Sequence, residues 1–354
     1  GFEHQVWVNG FGVIVGTIRG VAVIALMVFV NKSAYAYFSY QLVVGCAECA
    51  ILVWRARTSL PPCIPRERVF PDFSCLRKNG AFAFTIAFTS SAWLVVSYSD
   101  RLILSKILPL SEFGYYAVAV TLANAVNLIG APVGLALLPR MDGLVVSLGD
   151  IELFRLYHKF TQFVCWLAFS AALLMACFSW PILWVWTGNV DLANYAALPL
   201  RLYALGNGVL AVSAFPYYLQ YAKGDVSLHL YGNILFLVVF VPLVVIAGTR
   251  FGAVGAGYVW LGVNLLYFAV WVPLVHRKFA PKVHATWFVR DILVPLAPLA
   301  GTCLLCSLVL PVPQSRLAGG VQILAVGIVV VAVGAVALAP MRHWMTSFCK
   351  RVLS

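Results

Sequence analysis

Asp100 and Arg101 stand side by side within a long apolar run, and the residues around them carry most of the chemistry this chain can offer. A carboxylate held among apolar side chains can bind a proton or a small cation, and a guanidinium there can hold an anion. No Gly or Pro interrupts the stretch from Ala81 to Leu108. As one helix it would be about 42 Å long, against about 30 Å for the hydrocarbon core of a bilayer. Asp100 and Arg101 then sit inside a span as a lumen-facing pair; if the helix ends near Ser99 they are interfacial. In the following apolar segment Thr121, Asn124 and Asn127 recur at threefold spacing and give one polar stripe, which either joins helices or wets a cavity.

Three further ionisable residues lie within apolar runs. Arg19 is about ten residues from either end of the first one, too deep for its side chain to reach water easily. Gly12, Gly16 and Gly20 beside it form a stripe that lets another helix approach. Arg19 is therefore either neutralised by a structural partner or free to meet an anionic ligand. Glu48, in the second run, is either a proton or sodium site or the partner of an arginine. Arg201 lies between Pro199 and a Gly206-Asn207-Gly208 sequence that reads as a break; it either faces a lumen or snorkels.

Other chemistry finds no seat. Cys46 and Cys49, and again Cys303 and Cys306, share a three-residue spacing, but no second Cys or His cluster in a polar loop completes a zinc site. The six histidines fall mostly near span ends and read as interfacial. There is no nucleophile elbow, phosphate loop, zinc-protease helix or carboxylate pair. The sequence thus predicts no enzyme, no metal and no cofactor beyond a coupling ion.

The elements that position these residues follow from composition. Of 354 residues 62% are apolar and 10% charged, and the mean hydropathy is +0.94, far from the balance of a soluble domain. The sequence predicts an all-α polytopic membrane helix bundle of about ten transmembrane helices. They fall near 10–30, 34–54, 80–107, 113–138, 161–186, 195–219, 227–247, 251–274, 291–310 and 318–339. With these spans, seventeen of the 24 Lys and Arg residues fall on one side, five on the other, and Arg19 and Arg201 inside. The phase holds along the whole chain, which predicts that both ends are cytoplasmic. The net charge of +12 then faces anionic lipid headgroups, and no nucleic-acid partner is needed.

The longest polar stretch, Arg55 to Gly80, contains four prolines and closes on "FSCLRKNG", read as a linker ending in a surface-lying turn of helix. The expected organisation is a two-helix piece at 1–54, a cytoplasmic linker at 55–79, a six-helix lobe at 80–274, and two accessory helices with a cytoplasmic tail at 275–354. Gly320, Gly327 and Gly334 recur on the last span and suit packing or lipid tails. Gly1 with no initiator Met suggests an amino-terminal truncation.

The run Ser99 to Arg140, "SDRLILSKILPLSEFGYYAVAVTLANAVNLIGAPVGLALLPR", resembles the bacterial polysaccharide flippases of the multidrug/oligosaccharidyl-lipid/polysaccharide exporter superfamily. Asp100, Glu112, Gly114, Tyr115, Pro139 and Arg140 fit that family's pattern for its seventh and eighth helices. "LRKNGAFAF", "LQYAKGD" at Leu219–Asp225 and "FGAVGAGYVWLGVNLLYF" at Phe251–Phe268 are similar to other parts of it. The resemblance implies a two-lobed exporter fold around a lumen. On this alignment about four helices, on the order of 120 residues at about 30 per span and connection, are missing ahead of Gly1, which leaves the first lobe incomplete.

The resemblance further implies a function: turning an oligosaccharide linked to undecaprenyl pyrophosphate across the bacterial cytoplasmic (inner) membrane by alternating access, with H+ or Na+ coupling. Arg19, Arg101, Arg201, Asn124 and Asn127 would then line the substrate lumen, and Asp100 and Glu48 would be the coupling carboxylates. Partners would be the lipid-linked oligosaccharide and the bilayer, with polysaccharide polymerase and chain-length proteins beside them. Three rivals remain at this point: a multidrug/cation antiporter of the same superfamily, a membrane glycosyl-transfer enzyme, and a non-transporting membrane fragment. The excess of cations over acids in the spans favours anion handling. The sugar, and whether export feeds O-antigen, capsule or exopolysaccharide, is not legible.

Overall fold

A computed structural model describes residues 5–29, 33–59, 73–147 and 150–338. The chain divides into two compact units, Gly1–Ser74 and Cys75–Ser354. The described residues are helical nearly throughout, as a chain that must satisfy its backbone inside a bilayer has to be.

The first unit is a pair of helices, α1 (Gln5–Phe29) and α2 (Ala34–Ser59). At its middle the Arg19 guanidinium bonds the Glu48 carboxylate at 2.7 Å, and the Tyr40 hydroxyl donates to the Ile18 carbonyl at 3.1 Å. Of the alternatives open for Arg19 and Glu48, this is the mutual pair. A Cβ placed on Gly12, Gly16 or Gly20 would meet nothing within 4 Å, so within this unit the glycine stripe is not where α2 packs.

The second unit takes in α3 (Phe73–Ile107) from Cys75 onward, α4 (Leu110–Ala123), a 3-10 turn at Asn124–Val126 and α5 (Asn127–Ser147). It continues with α6 (Asp150–Cys177), α7 (Ser179–Thr187), α8 (Val190–Ala222) and α9 (Ser227–Leu266). A π-helical segment, Tyr267–Trp271, leads into α10 (Val272–Phe279); α11 (Val283–Thr286) leads through a second π segment, Trp287–Leu293, into α12 (Val294–Val309); α13 (Arg316–Ala337) follows.

Eight helical stretches among the described residues are long and apolar enough to cross a membrane. One of them, Ser227–Phe279, has 53 residues, about 80 Å of helix, and breaks at Gly252, whose φ of 59° and ψ of −140° lie outside the helical region. It therefore makes two crossings, and the 35-residue α3 supplies the tenth helix. The "FSCLRKNG" segment, expected as a turn of helix, is helical and continuous with α3; residues 60–72 of the expected linker lie outside the described residues, as does the expected tail from 339 onward.

Sequence patterning misjudged α8. Gly206-Asn207-Gly208 lies within one continuous helix. A Cβ on Gly206 would come within 2.5 Å of the Trp260 ring, and one on Gly208 within 3.1 Å of Phe169 and Ala172. The two glycines are there so that α8 can touch α9 and α6 closely. At the far end of α7, Arg316 of α13 donates to the Val185 carbonyl (2.8 Å) beside Gly188, a cation meeting the exposed carbonyls of a helix C-terminus.

Replacing Gly252 with Ala puts a side chain on a backbone conformation that only glycine adopts without strain. We expect a loss of about 1–3 kcal/mol, read as a lowered midpoint of thermal unfolding in detergent; Gly262→Ala, at a position with nothing within 4 Å, is the control and should leave the midpoint unchanged.

Candidate functional site: a polar cavity around Asp100

Asp100 is 3% exposed, on α3 and well inside it, because the helix runs on to Ile107. A buried carboxylate in this setting requires partners. It has two from other helices: the hydroxyls of Tyr116 on α4 and Tyr203 on α8 each donate to Asp100 Oδ2 at 2.7 Å, and the two tyrosine oxygens lie 2.9 Å apart. The backbone N–H of Arg101 approaches Oδ1 at 2.7 Å.

The network continues through rings and amides. Tyr203 stacks on Trp260 of α9 with centroids 5.8 Å apart, and the Trp260 indole donates to Asn207 Oδ1 at 2.9 Å. Asn207 Nδ2 in turn donates to the Ala123 carbonyl at 2.9 Å and lies 3.3 Å from Asn124 Oδ1. The 3-10 turn explains the Ala123 contact. The backbone N–H of Asn127 bonds the carbonyl of Asn124, three residues back, which frees the Ala123 carbonyl for the Asn207 amide.

Around this network lies a cavity of about 700 Å³, lined by α3, α4, α5, α8 and α9 and by Tyr267 of the first π segment. Asp100, Arg101, Asn124 and Asn127 all line it. Arg101 is partly buried, its guanidinium 5.6 Å from the ring centre of Tyr98, its Nε without a hydrogen-bond partner; among the described residues it forms no ion pair. Arg201 is elsewhere: it is exposed, does not line the cavity, and donates through Nε to the Ala176 carbonyl at 2.8 Å. Arg19 and Glu48 belong to the other unit, paired with each other.

Sequence reasoning missed the far wall. His229, near the start of α9, reads as interfacial, yet it lines the cavity and its ring lies tilted against that of Tyr217, centroids 4.1 Å apart. Its backbone N–H donates to Gln220 Oε1 at 2.8 Å, fixing the start of α9 against the end of α8. The turn between them is closed by Asp225, which accepts from the Ser227 N–H and hydroxyl and from Lys278 Nζ at 2.6 Å. The lysine first, and then Ser227, hold the Asp225 carboxyl down at about 2.

The histidines correct a second expectation. His276 is fully buried, bonded to the Tyr157 hydroxyl (2.7 Å) and to His284 (2.9 Å, Nδ1 to Nδ1). His158 bonds the buried carboxylate of Asp291, which also accepts from Gln162 at 2.8 Å. These groups tie α10 and the second π segment to α6. Among the described residues no cluster of His, Cys, Asp or Glu is arranged to hold a metal.

Residues 9–144 match the model of a family described as polysaccharide biosynthesis protein. The matched stretch contains Asp100, Arg101, Asn124 and Asn127. Among solved structures, lipid II flippase MurJ in its inward closed conformation superposes with a TM-score of 0.66 at 12% identity, over 91% of this chain and 66% of that one. The chain has a MurJ-like exporter fold. The match over residues 9–144 overlaps the Ser99 to Arg140 run that resembles polysaccharide exporters, and the superposition agrees with the expected all-helical, multi-pass, exporter-type fold. The chain spans just under two thirds of the length of the MurJ structure, and at this identity the likeness carries the fold and not the cargo. No curated protein sequence matches the chain.

Two outcomes test the site's construction. Tyr116→Phe and Tyr203→Phe each remove a hydroxyl bonded to a buried carboxylate; each should cost about 2 kcal/mol, and the double variant less than twice that, because the two hydroxyls share one acceptor oxygen and lie 2.9 Å apart. Thermal unfolding in detergent reads all three. For Asp225, lowered by its partners, the stabilisation is fully present above about 3.9 and lost as pH falls through about 2. Melting curves at descending pH should show that loss in the native chain and not in Asp225→Asn.

Proposed function

We propose that the chain moves an oligosaccharide linked to undecaprenyl pyrophosphate across the bacterial cytoplasmic membrane during polysaccharide biosynthesis, by alternating access and with ion coupling. One observation carries the reading: a guanidinium, Arg101, faces an aromatic cavity with no carboxylate among the described residues paired to it. A pyrophosphate is a multiply charged anion suited to such a guanidinium. The fold shared with a lipid II flippase and the polysaccharide biosynthesis match support the same class of cargo.

Asp100 is the carboxylate best placed to couple an ion to transport. It touches three helices at once through Tyr116 and Tyr203, so a proton or sodium ion taken up there alters contacts on α3, α4 and α8 together. Glu48, bonded to Arg19, is already neutralised. A cation antiporter would want the cavity's carboxylate without an adjacent guanidinium, and Arg101 argues against it. Both chain ends on the cytoplasmic side, and a neighbouring polymerase and chain-length protein, belong to this reading. No enzymatic step is part of it.

The test is complementation of a flippase-deficient bacterium, reading surface polysaccharide, with the chain as given and with a form extended upstream. Arg101→Ala should abolish rescue while membrane insertion, read by protease accessibility, is intact; full rescue would overturn the anion reading. Asp100→Asn should flatten the dependence of export on pH or sodium, and an unaltered profile removes it as the coupling site.

A further inference from the structure

The cavity has two chemically different ends, and helix register gives their separation. Trp93 of α3 packs against Phe236 of α9 at 6.3 Å, and further along the same two helices a Cβ on Gly248 would lie 3.0 Å from Leu104, so α3 and this half of α9 run parallel. Arg101 is eight residues past Trp93 and His229 seven before Phe236, placing about 22 Å of helix between them. α8 gives the same length independently. Tyr203 bonds Asp100 and Tyr217, fourteen residues on, contacts the His229 ring, which is about 21 Å.

At one end stands the unpaired Arg101 guanidinium with Asn124. Among the described residues no Lys, Arg, Asp or Glu lines the other end. There Tyr217 and Tyr218 offer ring faces and Asn233 an amide. His229 Nδ1 is buried without a hydrogen-bond partner, while Nε2 lies 3.2 Å from Asn233 Nδ2. A lipid tail on this wall would leave His229 Nδ1 unpaired, at a cost of about 1–3 kcal/mol, and a second phosphate would find no cation. A sugar ring, with an apolar C–H face and a rim of hydroxyls, satisfies both the aromatic faces and the polar atoms. The volume of about 700 Å³ falls in the usual range for one small ligand, about 300–1,000 Å³, room for a head group and not for a polyprenyl chain.

Resting on the flippase reading above, we propose that the cargo's head group lies lengthwise in this cavity, its pyrophosphate at Arg101 and its glycan on a carbohydrate subsite formed by Tyr217, His229 and Asn233. Sugar selection is then set at the His229 end, independently of the anion end.

The experiment uses the full chain in lipid nanodiscs, with the fluorescence of the cavity tryptophans, Trp93 and Trp260, as readout and two separate probes, inorganic pyrophosphate and an uncharged tetrasaccharide such as maltotetraose or chitotetraose. Arg101→Ala should weaken pyrophosphate at least about tenfold and leave saccharide binding in place. Tyr217→Ala and His229→Ala should do the reverse, and Tyr217→Phe, which keeps the ring, should retain saccharide binding and so report on folding. Saccharide binding insensitive to Tyr217→Ala and His229→Ala overturns the subsite, as does a native chain that binds pyrophosphate but neither saccharide. A native chain that binds neither probe class overturns the flippase reading itself along with the subsite.

Discussion

A carboxylate buried among transmembrane helices is costly unless its partners are fixed, and the arrangement of α3, α4 and α8 is governed by that requirement at Asp100. Two tyrosines from two other helices meet one oxygen, and they also meet each other. Removing either leaves a buried charge short of a donor. The stack of Tyr203 on Trp260, the Trp260 bond to Asn207 and the Asn207 bond to the freed carbonyl of Ala123 extend the same constraint to α9 and to the 3-10 turn. The cavity is what remains between helices held apart and in register by this network.

Arg101 follows from the same placement. Residues i and i+1 on a helix point about 100° apart, so a helix that turns Asp100 into the interface with α4 and α8 brings the next side chain round to the cavity. A guanidinium left there without a carboxylate is costly in an empty site and useful in an occupied one. In the other unit Arg19 meets the same cost by pairing with Glu48 at 2.7 Å.

Much of this was legible in the sequence. Apolar length gave the helices; the absence of Gly and Pro before Pro109 favoured a place for Asp100 and Arg101 inside one of them over an interfacial one, and the helix does run on to Ile107; the threefold spacing of Asn124 and Asn127 gave a polar stripe that does line the cavity. What was not legible is pairing across long separations. Tyr203 reaches Asp100 over 103 positions, and no local pattern marks a tyrosine as a hydroxyl donor to a distant acid. Gly206-Asn207-Gly208 carries the composition of a break, but its glycines serve close packing and its asparagine an interhelical bond, a distinction only the neighbouring helix can make. His229 was read as interfacial from its place near a helix start; the fold of the 223–226 turn brings that start against Tyr217.

The two π-helical segments, Tyr267–Trp271 and Trp287–Leu293, each carry roughly one residue more than an α-helix would need. That surplus is a phase setting. Upstream of the first segment Trp260 faces the cavity, and downstream His276 faces Tyr157 on α6; the inserted residue is what lets one rod address two interiors. Deleting a single residue within 267–271 would restore ordinary helical phase and swing everything after it by about 100°, turning His276 away from Tyr157 while leaving Trp260 on its own side. The reading frame of side chains along this rod is thus written in backbone geometry, and an in-frame loss of one codon would act there as a rotation.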